Sequence, residues 1–111
     1  MANVLTRLRC SYLYGKAKGR LKKKKFDEAQ ACLEKILASA EKADDDILLA
    51  HAHKFLAEFF LERETFRKAC LHAEESLTLL SGLGHGASGY SRERGEVERL
   101  LEKIPKGRAE R

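Results

Sequence analysis

The pattern that decides the fold is KKKFDEAQACLEKIL at residues 23–37, which recurs as RETFRKACLHAEESL at residues 63–77. The aligned pairs are Phe26 with Phe66, Ala29 with Ala69, and Leu37 with Leu77. The offset between the two segments is forty residues. A fixed period of this size predicts one helix-turn-helix unit used twice, with neighbouring units burying each other's apolar faces.

Apolar residues recur at spacings of three and four along most of the chain, which is the period of an α-helix. We predict five helices, over residues 3–23, 26–42, 46–63, 66–81 and 90–104. The run of Asp44, Asp45 and Asp46 offers an N-cap for the third helix. No segment alternates long enough to predict a strand. The chain is therefore predicted to be all-α, with one hairpin over about 3–42, a second over about 46–81, and a C-terminal capping helix.

Glycine and proline mark the remaining boundaries. The stretch SGLGHGASG at residues 81–89 contains four glycines and predicts a flexible loop over 82–89. Pro105 and Gly107 predict the end of the fifth helix and a flexible tail over 105–111. Gly15 and Gly19 lie inside the first helix, where each costs about 1 kcal/mol relative to alanine. They indicate either close approach of a neighbouring helix or a local weakness.

Length and charge limit the function classes. A chain of 111 residues suits one domain, here residues 1–104. Residues 1–25 hold nine lysines or arginines and no acid, while residues 26–64 carry a net charge of −6 and residues 65–111 a net charge of +2. Helices of opposite sign could lie beside one another within the fold or between subunits. Alternatively, the basic end could bind a nucleic acid or an acidic peptide. A mitochondrial transit peptide is disfavoured because the lysine run continues directly into a helix start.

The cysteines and the apolar runs predict a location. Cys10, Cys32 and Cys70 cannot all pair, and none lies in a CxxC motif, so we expect reduced thiols and a cytoplasmic protein. No apolar run approaches the roughly 18 residues that cross a bilayer. The first ten residues, MANVLTRLRC, lack the apolar stretch of a secretion signal. We therefore expect no membrane partner.

Motifs for catalysis and metal binding are missing from the sequence. His51 and His53 are two residues apart, so on a helix they diverge by about 200° and cannot ligate one metal from the same face. Cys70 and His72 have the same spacing. Cys10 would be reactive if Arg7 and Arg9 lowered the pKa of its thiol, but no base partner is evident. HExxH, P-loop and GxSxG motifs do not occur. We expect no metal, no cofactor and no enzymatic activity.

The second unit resembles the tetratricopeptide repeat (TPR) family. Leu56, Ala57 and Phe60 match the L-G-x2-Y element of the family's helix A, and Phe66 and Ala69 begin helix B as the family's pattern has them. The first unit departs from the pattern, because Lys16 and Arg20 stand where the family is usually apolar. Both units exceed the usual length of about 34 residues and lack the closing proline, as in the longer-helix members. The resemblance covers about residues 11–81 and implies a short right-handed solenoid capped by the fifth helix.

The resemblance also implies a binding surface, because the A helices of such arrays line a concave face that contacts a peptide or helix. Carried over to this sequence, the groove positions are Ser11, Tyr14, Lys18 and Lys22 in the first helix, and His51, Lys54, Phe55, Glu58 and Glu62 in the third. The asparagines of the family's chaperone-tail clamp are absent from these positions. From these positions we predict a partner-binding site of Tyr14, Lys18, Lys22, His51, Lys54, Phe55 and Glu58.

Aromatic and basic side chains together favour an acidic, amphipathic segment as the ligand of this groove. We therefore expect a cytoplasmic adaptor that binds another protein and performs no catalysis. The alternative is a nucleic-acid-associated helical protein that uses the basic first helix. Two repeats and a cap bury limited surface, so a homodimer or a stable heteromeric partner is also expected.

Overall fold

The structure, a computed structural model, describes residues 4–83 and 90–105. These residues form the helices α1 (Val4–Lys22), α2 (Phe26–Ala43), α3 (Asp46–Glu62), α4 (Phe66–Leu83) and α5 (Ser91–Lys103), with no strand among them. The prediction of an all-α chain is confirmed, although α4 ends two residues later than predicted. The predicted loop over 82–89 is wrong at residues 82 and 83, which continue α4, and its residues 84–89 lie outside the described residues, as do residues 106–111 of the predicted tail over 105–111. Within the described ranges, no helix combines the length and the apolar character needed to cross a bilayer.

The first three helices end in the same kind of turn. Lys24, Asp44 and Glu64 each adopt a left-handed backbone, with φ of 60°, 54° and 59°. The residue after each donates its N–H to a carbonyl five residues back, at 2.8 Å from Lys25 to Arg20, 3.2 Å from Asp45 to Ala40, and 2.8 Å from Thr65 to Phe60. This pattern is the Schellman motif, in which glycine usually occupies the left-handed position. Because the three turns are spaced by twenty residues, the helices between them have nearly equal lengths.

Small side chains form the contacts between successive helices. Each helix packs against the next along the chain. The fully buried alanines are Ala17, Ala29, Ala40, Ala50, Ala52, Ala57, Ala69 and Ala73. Larger buried residues, including Ile36, Leu56 and Leu80, fill the space between them. Ser76 in α4 is also buried, and its hydroxyl donates a 2.8 Å hydrogen bond to the Ala50 carbonyl of α3. These short side chains allow the helix axes to approach closely. Because they are small, they also limit the apolar area that the core can bury.

Equivalent positions of the two hairpins use different chemistry. In the first hairpin, Arg20 Nε of α1 lies 2.8 Å from Glu28 Oε1 of α2. Forty residues later, Phe60 takes the place of the arginine, and Lys68 Nζ lies 5.5 Å from the centre of its ring. A lysine over an aromatic face is attracted by the ring quadrupole, so each hairpin keeps one polar attraction at this level. The contact with Glu28 gives Arg20 a partner within the fold.

Asp45 joins the beginnings of α1 and α3. One carboxylate oxygen accepts a 3.1 Å hydrogen bond from the Leu48 N–H, which confirms an N-cap within the aspartate run. The other accepts hydrogen bonds from Arg7 Nε at 3.1 Å and Nη2 at 2.8 Å. Asp45 is only 5% exposed. Burial by itself raises the pKa of Asp45, but the hydrogen bonds from Leu48 and Arg7 outweigh burial and hold the pKa below its ordinary value.

The two glycines of α1 face open space. Apart from its two chain neighbours and the nearby backbone of α1, a Cβ built on Gly15 or Gly19 would meet no described atom within 4 Å. Close approach of a neighbouring helix, one of the two interpretations of these glycines, is therefore wrong for the described part of the chain. The propensity cost of glycine in a helix is uncompensated at both positions.

We predict that Gly15→Ala raises the free energy of unfolding by about 0.5–1 kcal/mol, because alanine loses less backbone entropy in a helix and the added methyl meets nothing. Urea unfolding followed by circular dichroism measures the change. A loss of stability would contradict the open environment of this position.

We predict that Asp45→Ala lowers the free energy of unfolding by about 1–3 kcal/mol, because the N-cap and the partner of Arg7 are lost together. Asp45→Asn is the matched control, since its amide oxygen retains the cap to Leu48, whereas its NH2 group replaces the oxygen that accepts from Arg7. Its loss should be smaller at pH 7. The carboxylate's contribution exists above the unfolded pKa and disappears as the pH falls through the lowered folded pKa, so wild type and Asp45→Asn should converge in acid. Equal losses for both variants at pH 7 would contradict the capping role.

Candidate functional site: a groove lined by α1, α3 and α5

An aromatic stack lies where α1 meets α3. The rings of Tyr14 and Phe55 have centroids 4.0 Å apart and an interplanar angle of 19°. Both residues are half-buried, and both line two neighbouring cavities, one on each side of the stack. The stack therefore forms a ridge between two hollows. We use "the groove" for these two cavities together with the Tyr14–Phe55 ridge.

The first cavity lies toward the beginnings of α1 and α3 and has a volume of about 320 Å³. Its lining residues are Arg7, Cys10, Ser11, Tyr14, Ile36, Ile47, Leu48, His51 and Phe55. The imidazole of His51 lies 6.2 Å from the Phe55 ring centre at an angle of 28°. Burial lowers the pKa of His51, and the Lys54 cation lowers it further, so the ring is neutral at pH 7. This half of the groove is mainly apolar, and its charged member, Arg7, is already bound to Asp45.

The second cavity has a volume of about 360 Å³ and is bordered by α5 as well as by α1 and α3. Its lining residues are Tyr14, Ala17, Lys18, Leu21, Leu33, Phe55, Glu58, Phe59, Leu61, Glu62, Leu100 and Lys103. Lys18 Nζ lies 5.2 Å from the Tyr14 ring centre, where the aromatic face attracts a cation. Burial raises the pKa of Glu58, and the Lys54 charge opposes that rise. Cations and carboxylates thus share the rim of this cavity.

Lys54 forms a salt bridge with Glu96 of α5. Its Nζ lies 2.8 Å from Glu96 Oε1, and the side chains of Lys54 and Glu96 are 20% and 30% exposed. The hydrogen bond from Lys54 lowers the pKa of Glu96. The pair holds α5 against α3 at the edge of the groove. Lys54 therefore already has an acidic partner within the chain.

The structure separates the seven sequence-predicted site residues into three groups. Five of them line the two cavities: Tyr14, Lys18, His51, Phe55 and Glu58. Lys54 lies beside these cavities in its pair with Glu96. Lys22 is exposed at the end of α1 and lines neither cavity.

Sequence reasoning missed the contribution of α5 to the groove. Leu100 and Lys103 line the second cavity, a role that the interpretation of the fifth helix as a cap does not include. The apolar spacing of α5 predicts which of its faces is buried. It does not indicate that the edge of that face borders a cavity between α1 and α3, because the position of α5 depends on helix packing.

The chemistry of Cys10 differs from one sequence expectation. Arg7 and Arg9 were candidates to lower the pKa of this thiol. Burial instead raises it, Arg9 opposes that rise, and the Arg7 guanidinium binds Asp45. A thiol with a raised pKa is a poor nucleophile at neutral pH. Among residues 4–83 and 90–105, no group of three or more His, Cys, Asp or Glu side chains could hold a metal ion.

A histidine pair links α3 and α4 away from the groove. The Nδ1 atoms of His53 and His72 are 2.9 Å apart, a hydrogen bond in which one ring donates and the other accepts. The His72 ring also stacks on Phe60, with centroids 5.5 Å apart and an angle of 13°. The spacing in the sequence indicates only that His53 and His51 lie on different sides of their helix, and that His72 and Cys70 do so on theirs. The contact between the helices could not be inferred from that spacing.

Burial lowers the pKa of both paired histidines, and the His53 charge lowers the pKa of His72 further. The charged groups that face them are Glu41 and Glu75 near His53, and Glu34, Lys68 and Glu75 near His72. The carboxylates oppose the decrease in both pKa values without reversing it. A pair with both rings protonated would lose its hydrogen bond and gain a repulsion between two cations.

We predict that stability falls as the pH drops below about 6.5, because the unfolded chain then binds protons that the paired histidines resist binding. His53→Asn/His72→Asn removes both titrating rings and should flatten the profile of unfolding free energy between about pH 7.5 and 5. Urea titrations at several pH values measure this profile. If the unfolding free energy of the double variant depends on pH as steeply as that of wild type, the histidine pair is not the cause of the pH dependence. A smaller slope is expected to remain, because the pKa of His51 is also lowered.

No protein-family model matches this chain, and neither a curated protein nor a solved structure matches it.

Proposed function

We propose that this chain is a non-catalytic, TPR-like adaptor that binds a helix or an extended peptide of another protein in the groove. The observation that carries the proposal is the Tyr14–Phe55 ridge between two cavities of about 320 and 360 Å³. Ligand sites are concave and mostly apolar, with a few polar groups that fix orientation. Two hollows flanking an aromatic ridge suit a segment that inserts one bulky apolar side chain on each side.

The equivalence of the two hairpins supports a short right-handed solenoid. The turns at Lys24 and Glu64 have the same left-handed conformation, forty residues apart. The helices that follow begin at Phe26 and Phe66, and both phenylalanines are half-buried against the core. One turn later, Ala29 and Ala69 are both fully buried. In this arrangement α1 and α3 are the A helices, and the groove lies on the surface that they share.

The rim charges indicate which ligand the groove prefers. Lys18 and Lys103 border the second cavity, and so do Glu58 and Glu62. Lys54 and Arg7 are already paired within the chain. The groove therefore selects mainly by its apolar hollows, and an acidic group on the ligand would bind near Lys18 or Lys103. The ligand class that fits is an amphipathic segment with two bulky apolar residues and an acidic flank.

A display selection of random peptides on the wild-type protein tests this proposal, with affinities measured by fluorescence anisotropy. We expect Tyr14→Ala/Phe55→Ala to weaken the selected peptides by about tenfold or more, since buried aromatic anchors dominate such sites. Leu71→Ala is the control, because Leu71 is an exposed leucine of α4 outside the groove, and its effect should be less than about twofold. Circular dichroism verifies that the variants fold.

The same measurements distinguish the nucleic-acid alternative, which rests on the exposed lysines at residues 22–25. Single- and double-stranded oligonucleotides are titrated at near-physiological salt. Tight oligonucleotide binding that falls steeply with salt and ignores the groove substitutions would favour the alternative. If the selected peptides bind wild type and Tyr14→Ala/Phe55→Ala equally tightly, the proposal that the groove is the binding site is wrong.

A further inference from the structure

The outer face of α1 exposes large apolar side chains. Among the described residues, the large hydrophobics most exposed to solvent are Val4 at 73%, Leu5 at 74%, Leu8 at 61%, Tyr12 at 67% and Leu71 at 60%. The first four lie within two and a half turns of one helix. Contiguous exposed apolar area marks an interaction site more often than scattered single residues do. Leu71, alone on α4, is such a scattered residue.

Helical geometry places these four residues opposite the core. At about 100° per residue, Val4, Leu5, Leu8 and Tyr12 fall on the side of α1 that faces away from the buried Cys10, Leu13 and Ala17. Gly15 and Gly19 continue the same side of the helix toward its end, and the space beside both is open. We call the six residues Val4, Leu5, Leu8, Tyr12, Gly15 and Gly19 the outer stripe. The stripe extends for about 22 Å along α1, or four helical turns.

Basic residues border the outer stripe on both edges. Arg9 and Lys16 lie along one edge and Lys22 lies at the other, all of them exposed. Residues 1–25 contain no acid to neutralise them. A ligand that covers the stripe must therefore combine an apolar face with negative charge at its margins, because opposite charges across an interface favour docking and like charges oppose it.

We propose that the outer stripe docks an acidic amphipathic helix of a partner protein, at a surface separate from the groove. An amphipathic helix presents apolar residues at spacings of three and four with charged residues beside them, and this pattern complements the stripe in both respects. The two glycines let the backbone of a second helix come close to α1 over its last turns.

Other occupants fit the stripe less well. A second copy that docks through its own α1 would bring two acid-free basic segments together. The exposed face of the acidic α2 offers only small apolar residues, such as Ala31 and Ala38. A lipid surface gains from buried apolar area, whereas two of the six stripe positions are glycines with no side chain to insert. A nucleic acid would leave Leu5 and Leu8 without an apolar partner.

The test selects helices from a display library of roughly 18-residue peptides, long enough to span the stripe. An apolar stripe at heptad spacing is fixed in every peptide, and the flanking positions vary among Glu, Gln and Lys. Wild-type protein is the target of the selection, and no variant is used for depletion, so that the variant measurements remain an independent test. We expect the enriched helices to carry Glu on both flanks and to lose affinity as salt rises.

Variants then locate the enriched helix. Leu5→Ser/Leu8→Ser should weaken it by about tenfold or more, whereas Leu71→Ser, at nearly the same exposure as Leu8, should change affinity by less than about twofold. Gly15→Ala should weaken binding several-fold while stabilising the fold, so that the loss cannot be attributed to unfolding. An unlabelled groove peptide should not displace the helix.

Several results would overturn the proposal. The proposal is wrong if the selection enriches no helix, or if the enriched helices carry no acidic residues on their flanks. It is also wrong if the groove peptide displaces the enriched helix, or if that helix binds Leu5→Ser/Leu8→Ser or Gly15→Ala as tightly as it binds wild type. Three further measurements on the protein test the other occupants: binding to phosphatidylcholine vesicles containing phosphatidylserine, binding to duplex DNA, and sedimentation of the protein alone. Vesicle binding, DNA binding or dimerisation that disappears in Leu5→Ser/Leu8→Ser would assign the stripe to that occupant instead.

Discussion

The left-handed turn that recurs at Lys24, Asp44 and Glu64 is the constraint on which the remaining structure depends. Each turn satisfies the last carbonyls of one helix and reverses the chain into the next. The twenty-residue spacing makes the helices similar in length, so α1 and α3 point the same way and lie at matching levels. Tyr14 and Phe55, forty-one residues apart in sequence, stack because the turns fix this register.

Alanine contacts between the helices make the polar contacts important. An alanine buries little apolar area, so a core rich in alanine gains less from burial than one built of leucine and phenylalanine. Specific polar contacts supplement that core at the helix ends and between α3 and α4. Asp45 holds Arg7 at the beginning of α1, Arg20 meets Glu28 near its end, and the Ser76 hydroxyl bonds to the backbone of α3. These contacts fix the order of the helices more sharply than small apolar residues alone would do.

The uneven charge of the sequence has two consequences in the fold. Arg7 and Arg20, from the acid-free basic segment, pair with acids of the next two elements, as expected for neighbouring helices of opposite sign. Arg9, Lys16 and residues 22–25 remain exposed. The basic charge that the fold does not neutralise therefore concentrates along the outer side and the end of α1. That side also carries most of the exposed large apolar side chains of the described chain.

The sequence by itself determined the all-α class and the five helices to within two residues, because helical periodicity and capping are properties of short segments. Only the tertiary structure decided which side chains meet across helices. The partnership of His53 with His72, the capture of Lys54 by Glu96, and the open space beside Gly15 all depend on how whole helices are placed. The left-handed turns could not be predicted from the sequence either, because lysine, aspartate and glutamate occupy the positions where glycine usually indicates such a turn. Periodicity specifies which face of a helix is buried, but the contacts of that face follow from the distances and register between helices, which no single segment encodes.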